Sequence, residues 1–221
     1  MISGERGLAG AYNTNDLRYT LNEFRNYPVP VRYVAVGRKG AELLYRRRLN
    51  VIAQFTGLPA EPQFSDVSSI GRLLVDDYLN DTSDEVYLVF TDFENMIKQT
   101  PTKKKLLPLE YSSTAGLVQA EFGAQAARSG PAPAYIYEPD QFEILEQIIP
   151  RFTALQVYQA LLESVASEHA ARMVAMKNAT DNATDLAGGL TLQYNKVRQQ
   201  SITNEMLDIA GGAEALAQAS K

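Results

Sequence analysis

The chain has 221 residues, 45% hydrophobic and 9% aromatic, with a formal net charge of −5; that length holds one or two globular domains. Its negative balance argues against a nucleic-acid partner held by phosphate neutralisation, and the absence of cysteine excludes disulfides, thiolate metal sites and a cysteine nucleophile. A single histidine, His169, leaves zinc sites and a Ser/His/Asp triad poorly supplied; no apolar run approaches membrane-spanning length, and the N-terminus shows no basic-then-apolar leader.

Residues 1–3 read as the end of a strand, followed by a turn with Gly4, Gly7 and Gly10 and then Ala11-Tyr12-Asn13. Glycines after a strand invite a dinucleotide-loop reading, in which backbone N–H groups approach a pyrophosphate. The spacing here is GxxGxxG, and the next strand ends in Gly37-Arg38-Lys39-Gly40 with no acidic residue, so a tight turn between strand and helix is the stronger reading. Asn15 is expected to cap a helix to about Tyr27, and Pro28 and Pro30 stop it. Residues 31–36 are a β-branched strand, and residues 39–49 return to helical spacing with Arg46-Arg47-Arg48 at the negative pole.

Residues 51–55 form a further short strand, and Ser65 or Asp66 caps a helix that Asn80-Asp81 breaks. Residues 85–90 are the clearest buried strand. Asp92 and Glu94 at its end form a weak metal or acid/base candidate, with no histidine or cysteine beside them. Residues 101–109 read as an edge strand blunted by Lys103, Lys104 and Lys105. Residues 111–133 read as a loop, residues 134–139 as a last strand, and Asp140 as the cap of a short helix over 142–149. Strands alternating with helices predict an α/β, Rossmann-like layered domain with a mostly parallel sheet over residues 1–145.

From residue 146 to 221 the pattern is helical throughout. Large or small apolar residues recur three or four apart through Phe152, Leu155, Tyr158, Leu162, Val165, His169, Met173 and Met176, and on through Leu186, Leu190, Tyr194 and Val197. After a five-residue step the seam resumes at Ile202, Met206, Ile209, Ala213 and Leu216. Such a helix is roughly 100 Å long at about 1.5 Å per residue, so most of it needs partners outside its own globular part. Gly188-Gly189 in its interior costs about 1 kcal/mol per glycine relative to alanine, so packing, as in a coiled coil, has to hold it. His169 on the seam is expected to be packed, with one hydrogen bond. The Asn178 and Asn182 Asn-x-Thr triplets, on a helix, are discounted as glycosylation sites.

Three stretches carry a resemblance: Ser167-Glu168-His169-Ala170-Ala171-Arg172-Met173; Ala175-Met176-Lys177-Asn178-Ala179-Thr180-Asp181-Asn182-Ala183; and Tyr194-Asn195-Lys196-Val197-Arg198-Gln199 with Ser201-Ile202-Thr203. They resemble the C-terminal signature of the gamma subunit of F-type rotary ATP synthases, and Gly7-Leu8-Ala9-Gly10-Ala11-Tyr12-Asn13 resembles the opening of that family's α/β domain. The resemblance implies a non-catalytic central-stalk rotor that transmits torque between a membrane c-ring and a catalytic alpha/beta ring, beside an epsilon subunit. It implies no cofactor, no metal, no nucleic acid and no membrane insertion, and a peripheral place on the cytoplasmic face of a bacterial inner membrane or its organelle equivalent.

By matching positions, Arg198, Gln199 and Thr203 resemble family residues that touch the ring, with Arg172 and Asp208 in the same class; Asp208 stands where relatives carry glutamate. The family opens with a long helix paired antiparallel to the C-terminal one, whereas the resemblance here begins within the first strand. That implies a shortened form or a separately supplied N-terminal helix. Two other classes stay open on the residues alone: a nucleotide-binding α/β enzyme with a helical dimerisation arm, and a coiled-coil adaptor.

Overall fold

The computed structural model describes residues 1–109 and 141–219, with side chains over 1–109 and 146–216. The expected loop at 111–133, the strand at 134–139 and the cap at Asp140 lie outside the described residues. Two compact units divide the chain, Met1–Val174 and Ala175–Lys221.

In the first unit the order is α1 (Tyr12–Phe24), β1 (Tyr33–Val36), α2 (Arg38–Arg46), β2 (Val51–Phe55), α3 (Phe64–Leu79), β3 (Val86–Phe93), β4 (Gln99–Leu107) and the start of α4 (Gln141–Ala219). Helix α1 starts before the expected Asn15 cap and has Ala11 at its N-cap. In α3, Asp66 acts from inside the first turn: its carboxylate accepts from the Gln63 N–H (2.8 Å). Pro150 lies inside α4, which runs through it from Gln141.

The expectation of a mostly parallel, Rossmann-like sheet is corrected. There are two two-stranded sheets: β1–β2 is parallel, and β3–β4 is antiparallel. The reason is the connection. Only residues 94–98 join β3 to β4, and a parallel return needs a crossover of about a dozen residues or more. A hairpin is the pairing that so short a link allows, and it pairs Phe93 with Gln99 and Tyr87 with Lys105.

Residues 1–3 lie between the two sheets and bond to both. The Ser3 N–H donates to Val36 O (2.8 Å), the Val36 N–H to Met1 O (2.9 Å), and the Ile2 N–H to Val89 O (2.8 Å). Ser3 does more than pair. Helix α2 begins at Gly37, which has no side chain to cap it, and the Ser3 hydroxyl takes over: it accepts from the Gly40 N–H (2.8 Å) and donates to Val36 O (3.0 Å).

Two apolar clusters fill the unit. One joins Ile2, Val67, Ile70, Leu88, Phe90, Leu106, Val157 and Leu161; the other joins Leu17, Tyr33, Ala35, Ala41 and Leu44 under α1 and α2. The second unit consists of the continuation of α4.

Candidate functional site

Helix α4 carries the candidate site, and within the first unit it has two unlike faces. Its buried face runs through Thr153, Ala154, Val157, Ala160, Leu161, Ser164, Ser167 and Ala170. Mostly small and hydroxyl-bearing, these residues allow a close backbone approach. The large residues of the expected seam lie elsewhere: Leu155, Leu162 and Met173 are exposed, and Phe152, Tyr158 and Val165 are half-buried. His169 is exposed as well, which corrects its expected packing. Of the residues that spacing located, Tyr158 and Val165 pack against the core, but the centre of the contact is a neighbouring face on which Val157 and Leu161 stand among small residues.

The closest approach is between α3 and α4. A Cβ built on Gly71 would lie 2.7 Å from Ala154 Cβ and 2.9 Å from Ala154 Cα. Alanine at Gly71 gains about 1 kcal/mol of helix propensity and loses more to the overlap. Gly71→Ala is expected to lower stability by about 1–2 kcal/mol net, and Ala154→Gly in the same chain to recover only part of it in thermal unfolding, because the overlap with the Ala154 Cα remains.

Directional bonds then fix the helix against the sheet. The Tyr12 hydroxyl lies 3.1 Å from Ser164 O, to which it donates, and 2.5 Å from Ser164 Oγ; the Ser167 hydroxyl donates to Thr91 O (3.2 Å). Tyr158 donates to Pro62 O (3.2 Å), its ring edge-on to Phe64. Beside Tyr12 lies Asp16, fully buried, whose Oδ1 accepts from the Thr91 hydroxyl while Oδ2 has no partner. Burial raises the Asp16 carboxyl to about 7, against the opposing effects of the Thr91 bond and the Met1 ammonium. Burial, and then Asp16, raise the Tyr12 phenol above its ordinary range. Sequence reasoning missed this clamp. Its signal was the run Thr153, Ser164 and Ser167 on one helix face, opposite Tyr12 and Asp16 on α1.

The glycine turn does not suit a pyrophosphate. The Gly4 N–H is committed to Asn13 Oδ1 (2.9 Å), the Glu5 carboxylate accepts from the Gly57 N–H (2.9 Å), and Glu168 presses on Gly4, so an anion there meets two carboxylates. Glu94 is likewise committed, to Lys98 (2.7 Å) and the Thr100 hydroxyl (2.7 Å), and with Asp92 it belongs to no group of three or more metal-type ligands among the described residues.

Of the sequence-derived contact residues, Arg172 is in the first unit, half-buried and paired with Glu168. The other four are in the second unit and all are exposed. Gln199 and Thr203 are one turn apart on one face, and the Thr203 hydroxyl donates to Gln199 O (2.9 Å). Arg198 shares its face with Ile202 instead, and Asp208 lies on a third. In the same unit Leu186, Leu190, Tyr194, Val197, Met206 and Ile209 are exposed.

A family model described as ATP synthase matches residues 1–216. The ATP synthase gamma chain of Dehalococcoides mccartyi is 43% identical over 98% of this chain and 71% of its own length. The chain belongs to the ATP synthase gamma chain family. A second gamma chain, from Roseiflexus castenholzii, is 40% identical over 99% of this chain and 72% of its own. Among solved structures, the fold resembles a chain of the Euglena gracilis mitochondrial ATP synthase, OSCP/F1/c-ring, with TM-score 0.72 and 22% identity, over all of this chain and 72% of that one. It also resembles a chain of the Tetrahymena thermophila mitochondrial ATP synthase central stalk and c-ring, with TM-score 0.61 and 24% identity, over 81% of this chain and 74% of that one.

As a gamma chain, the protein is a non-catalytic central-stalk rotor subunit that transmits torque. The clamp through Tyr12, Ser164, Ser167 and Thr91 is therefore where the gamma chain's long helix is fastened to its globular unit. Among the described residues no helix is long and apolar enough to cross a membrane.

Proposed function

We propose that this gamma chain carries torque between a c-ring in the membrane and a ring of alternating alpha and beta subunits, where the ATP chemistry takes place, with an epsilon subunit beside its globular part. The bare second unit supports this reading most directly. Apart from Ala175 and Asn195, every residue over 175–216 is exposed, although large apolar residues recur along it. An isolated helix of that kind, with Gly188, Gly189, Gly211 and Gly212 inside it, frays in water; a protein sheath stabilises it. In this reading the alpha/beta ring supplies that sheath. In this reading the foot is residues 1–145, the shaft is 146–221, and the protein sits peripherally on the cytoplasmic face of a bacterial inner membrane.

Arg198, Gln199, Thr203 and Asp208 are the proposed polar contacts with the ring. A guanidinium offers a fixed fork of donors to carboxylates or backbone carbonyls. Arg172 joins them only by giving up Glu168, so its contact is the weaker one.

The test adds the chain to a preformed alpha/beta ring and follows ATP turnover. Turnover is expected to rise; no rise at saturating chain overturns the proposal. Arg198→Ala is expected to weaken ring binding about tenfold, equivalent to about 1.4 kcal/mol, while leaving the fold unchanged by circular dichroism.

A further inference from the structure

Charge is divided between the two helix layers of the first unit. Ala35 points into the apolar cluster under α1 and α2 and Val36 into the one shared with α3 and α4, so these layers cover opposite faces of β1. The α3 side is acidic, with Asp76, Asp81 and Asp84 exposed at and just beyond its C-terminal end. The α1–α2 side is basic. Arg18 and Arg25, two turns apart along α1, and Arg46, Arg47 and Arg48 at the end of α2 are all exposed, in a chain whose net charge is −5. Among the described residues none of these guanidiniums lies in an ion pair; Glu23 and Glu42, the solvent-facing carboxylates of the same helices, are drawn to Lys103 (2.6 Å) and Lys39 (2.9 Å).

Topology gathers the arginines. Helix α2 carries the chain from the end of β1 back to the start of β2, and α1 ends just ahead of the start of β1, so both helices terminate where these paired strands begin. Arg25 and Arg46 to Arg48 stand at that end. With them are two exposed apolar side chains, Val29 (53%) and Tyr45 (52%). Arg48 occupies its place against a backbone preference: it closes α2 at φ +56°, its N–H bonded to Tyr45 O (2.9 Å) and the Leu49 N–H to Leu44 O (3.2 Å), where glycine sits without strain. Successive positions about 100° apart then fan the three guanidiniums around the helix end rather than into one groove.

We propose that the outer side of α1 and α2 is a docking surface for an anionic phospholipid bilayer. The inference rests on the membrane-peripheral place given above and adds which surface meets the lipid. Guanidiniums without carboxylate partners are free to take phosphate oxygens, and each cation held near such a surface raises partitioning about fivefold. Tyr45 and Val29 supply the apolar contact that the headgroup boundary accepts. The fanned arrangement suits a plane of headgroups better than a shaped acidic peptide, which needs its partners in one groove. Asp76, Asp81 and Asp84 do not oppose this docking: they belong to the other helix layer, two layer spacings or roughly 20 Å away, and charges are screened beyond about 8 Å at physiological salt.

The test sediments the whole 221-residue chain with vesicles of phosphatidylcholine, alone or mixed with phosphatidylglycerol, at physiological and at raised salt. Binding to the mixed vesicles is expected, and binding at least about tenfold weaker to phosphatidylcholine alone or in raised salt. The combined variant Arg46→Gln, Arg47→Gln, Arg48→Gly is expected to bind the mixed vesicles about a hundredfold more weakly. Arg48→Gly alone is expected to lose about fivefold while its thermal midpoint stays level or rises, because glycine relieves the positive φ. Arg72→Gln, an equal loss of charge from the exposed side of α3, is expected to change nothing. No binding to mixed vesicles overturns the proposal. Full binding by the combined variant overturns it too, because the bare length of α4 then does the adsorbing, and an equal loss from Arg72→Gln does so because net charge then suffices. Capture by soluble polyglutamate without vesicle binding overturns it in favour of an acidic protein partner. A chain that raises ring turnover yet ignores the mixed vesicles loses this surface and keeps the torque reading.

Discussion

Gly37→Ala is expected to cost about 4 kcal/mol, enough to unfold a large share of a domain of ordinary stability. Two effects add at this position. Gly37 has φ +96°, a conformation that L side chains avoid, and a Cβ there would lie 2.1 Å from Ser3 O and 2.9 Å from Ser3 Oγ. The obstructing oxygen is backbone of the segment that joins the sheets, held by Ser3 N–H to Val36 O and flanked by the Lys39 N–H to Gly4 O bond (3.0 Å). It has nowhere to retreat. Gly57→Ala supplies the control: φ there is +78°, and nothing lies within 4 Å of the added carbon. That variant is expected to lose only the conformational part, about 1–2 kcal/mol. Urea unfolding of the two variants separates strain from overlap; equal losses would refute the role given to Ser3.

Asp16→Asn is expected to change the pH dependence of stability more than any other single substitution. The folded carboxyl sits at about 7, well above the usual 3.8, because burial disfavours its charged form. The folded state therefore holds the proton more tightly than the unfolded chain. Stability from this group is fully present below about pH 3.8 and is lost as pH rises to about 7, a loss of about 4 kcal/mol. The Met1 amine works the other way: burial lowers it from 8.0 to about 6, so stability is gained as pH rises from about 6 to 8. The wild-type chain is expected to show a shallow stability minimum between about pH 6 and 7 from this pair. Asp16→Asn removes the falling limb and leaves the rise. The stability difference between variant and wild type, read from urea titrations at pH 5 and 8, is expected to move in the variant's favour by about 3 kcal/mol. A pH-independent difference would mean that Asp16 is solvated in the folded chain.

Much of the element order was legible because it depends on local patterns. Val51–Phe55 matches the apolar run as read, Asn80 ends α3 where expected, and a helix without a proline after Pro150 announces itself over any window. Pairing was less legible. The alternation of strands and helices reads as a mostly parallel sheet, whereas the short link at residues 94–98 compels a hairpin. The orientation of α4 was misread for a different reason. Periodicity weighs side chains by size, so it follows Leu155, Leu162 and Met173, while the seat of the helix combines Val157 and Leu161 with Ala154, Ala160, Ser164 and Ser167. The small residues of that seat matter for what they let approach rather than for the area they bury. Family membership was legible because its motifs are long; they run from the buried Ser167 and Ala170 onto the exposed length of α4.

A seat of small side chains has a mechanical consequence. A helix held by interdigitating bulky residues can jump one turn and find a similar set of grooves. Here a rotation or an axial step removes the Tyr12–Ser164 and Ser167–Thr91 bonds together and takes Gly71 and Ala154 out of their close approach. A twisting load on α4 is thus passed into the backbone of β3 through Thr91 rather than dissipated as slippage, which makes the joint a keyed coupling and not a friction grip.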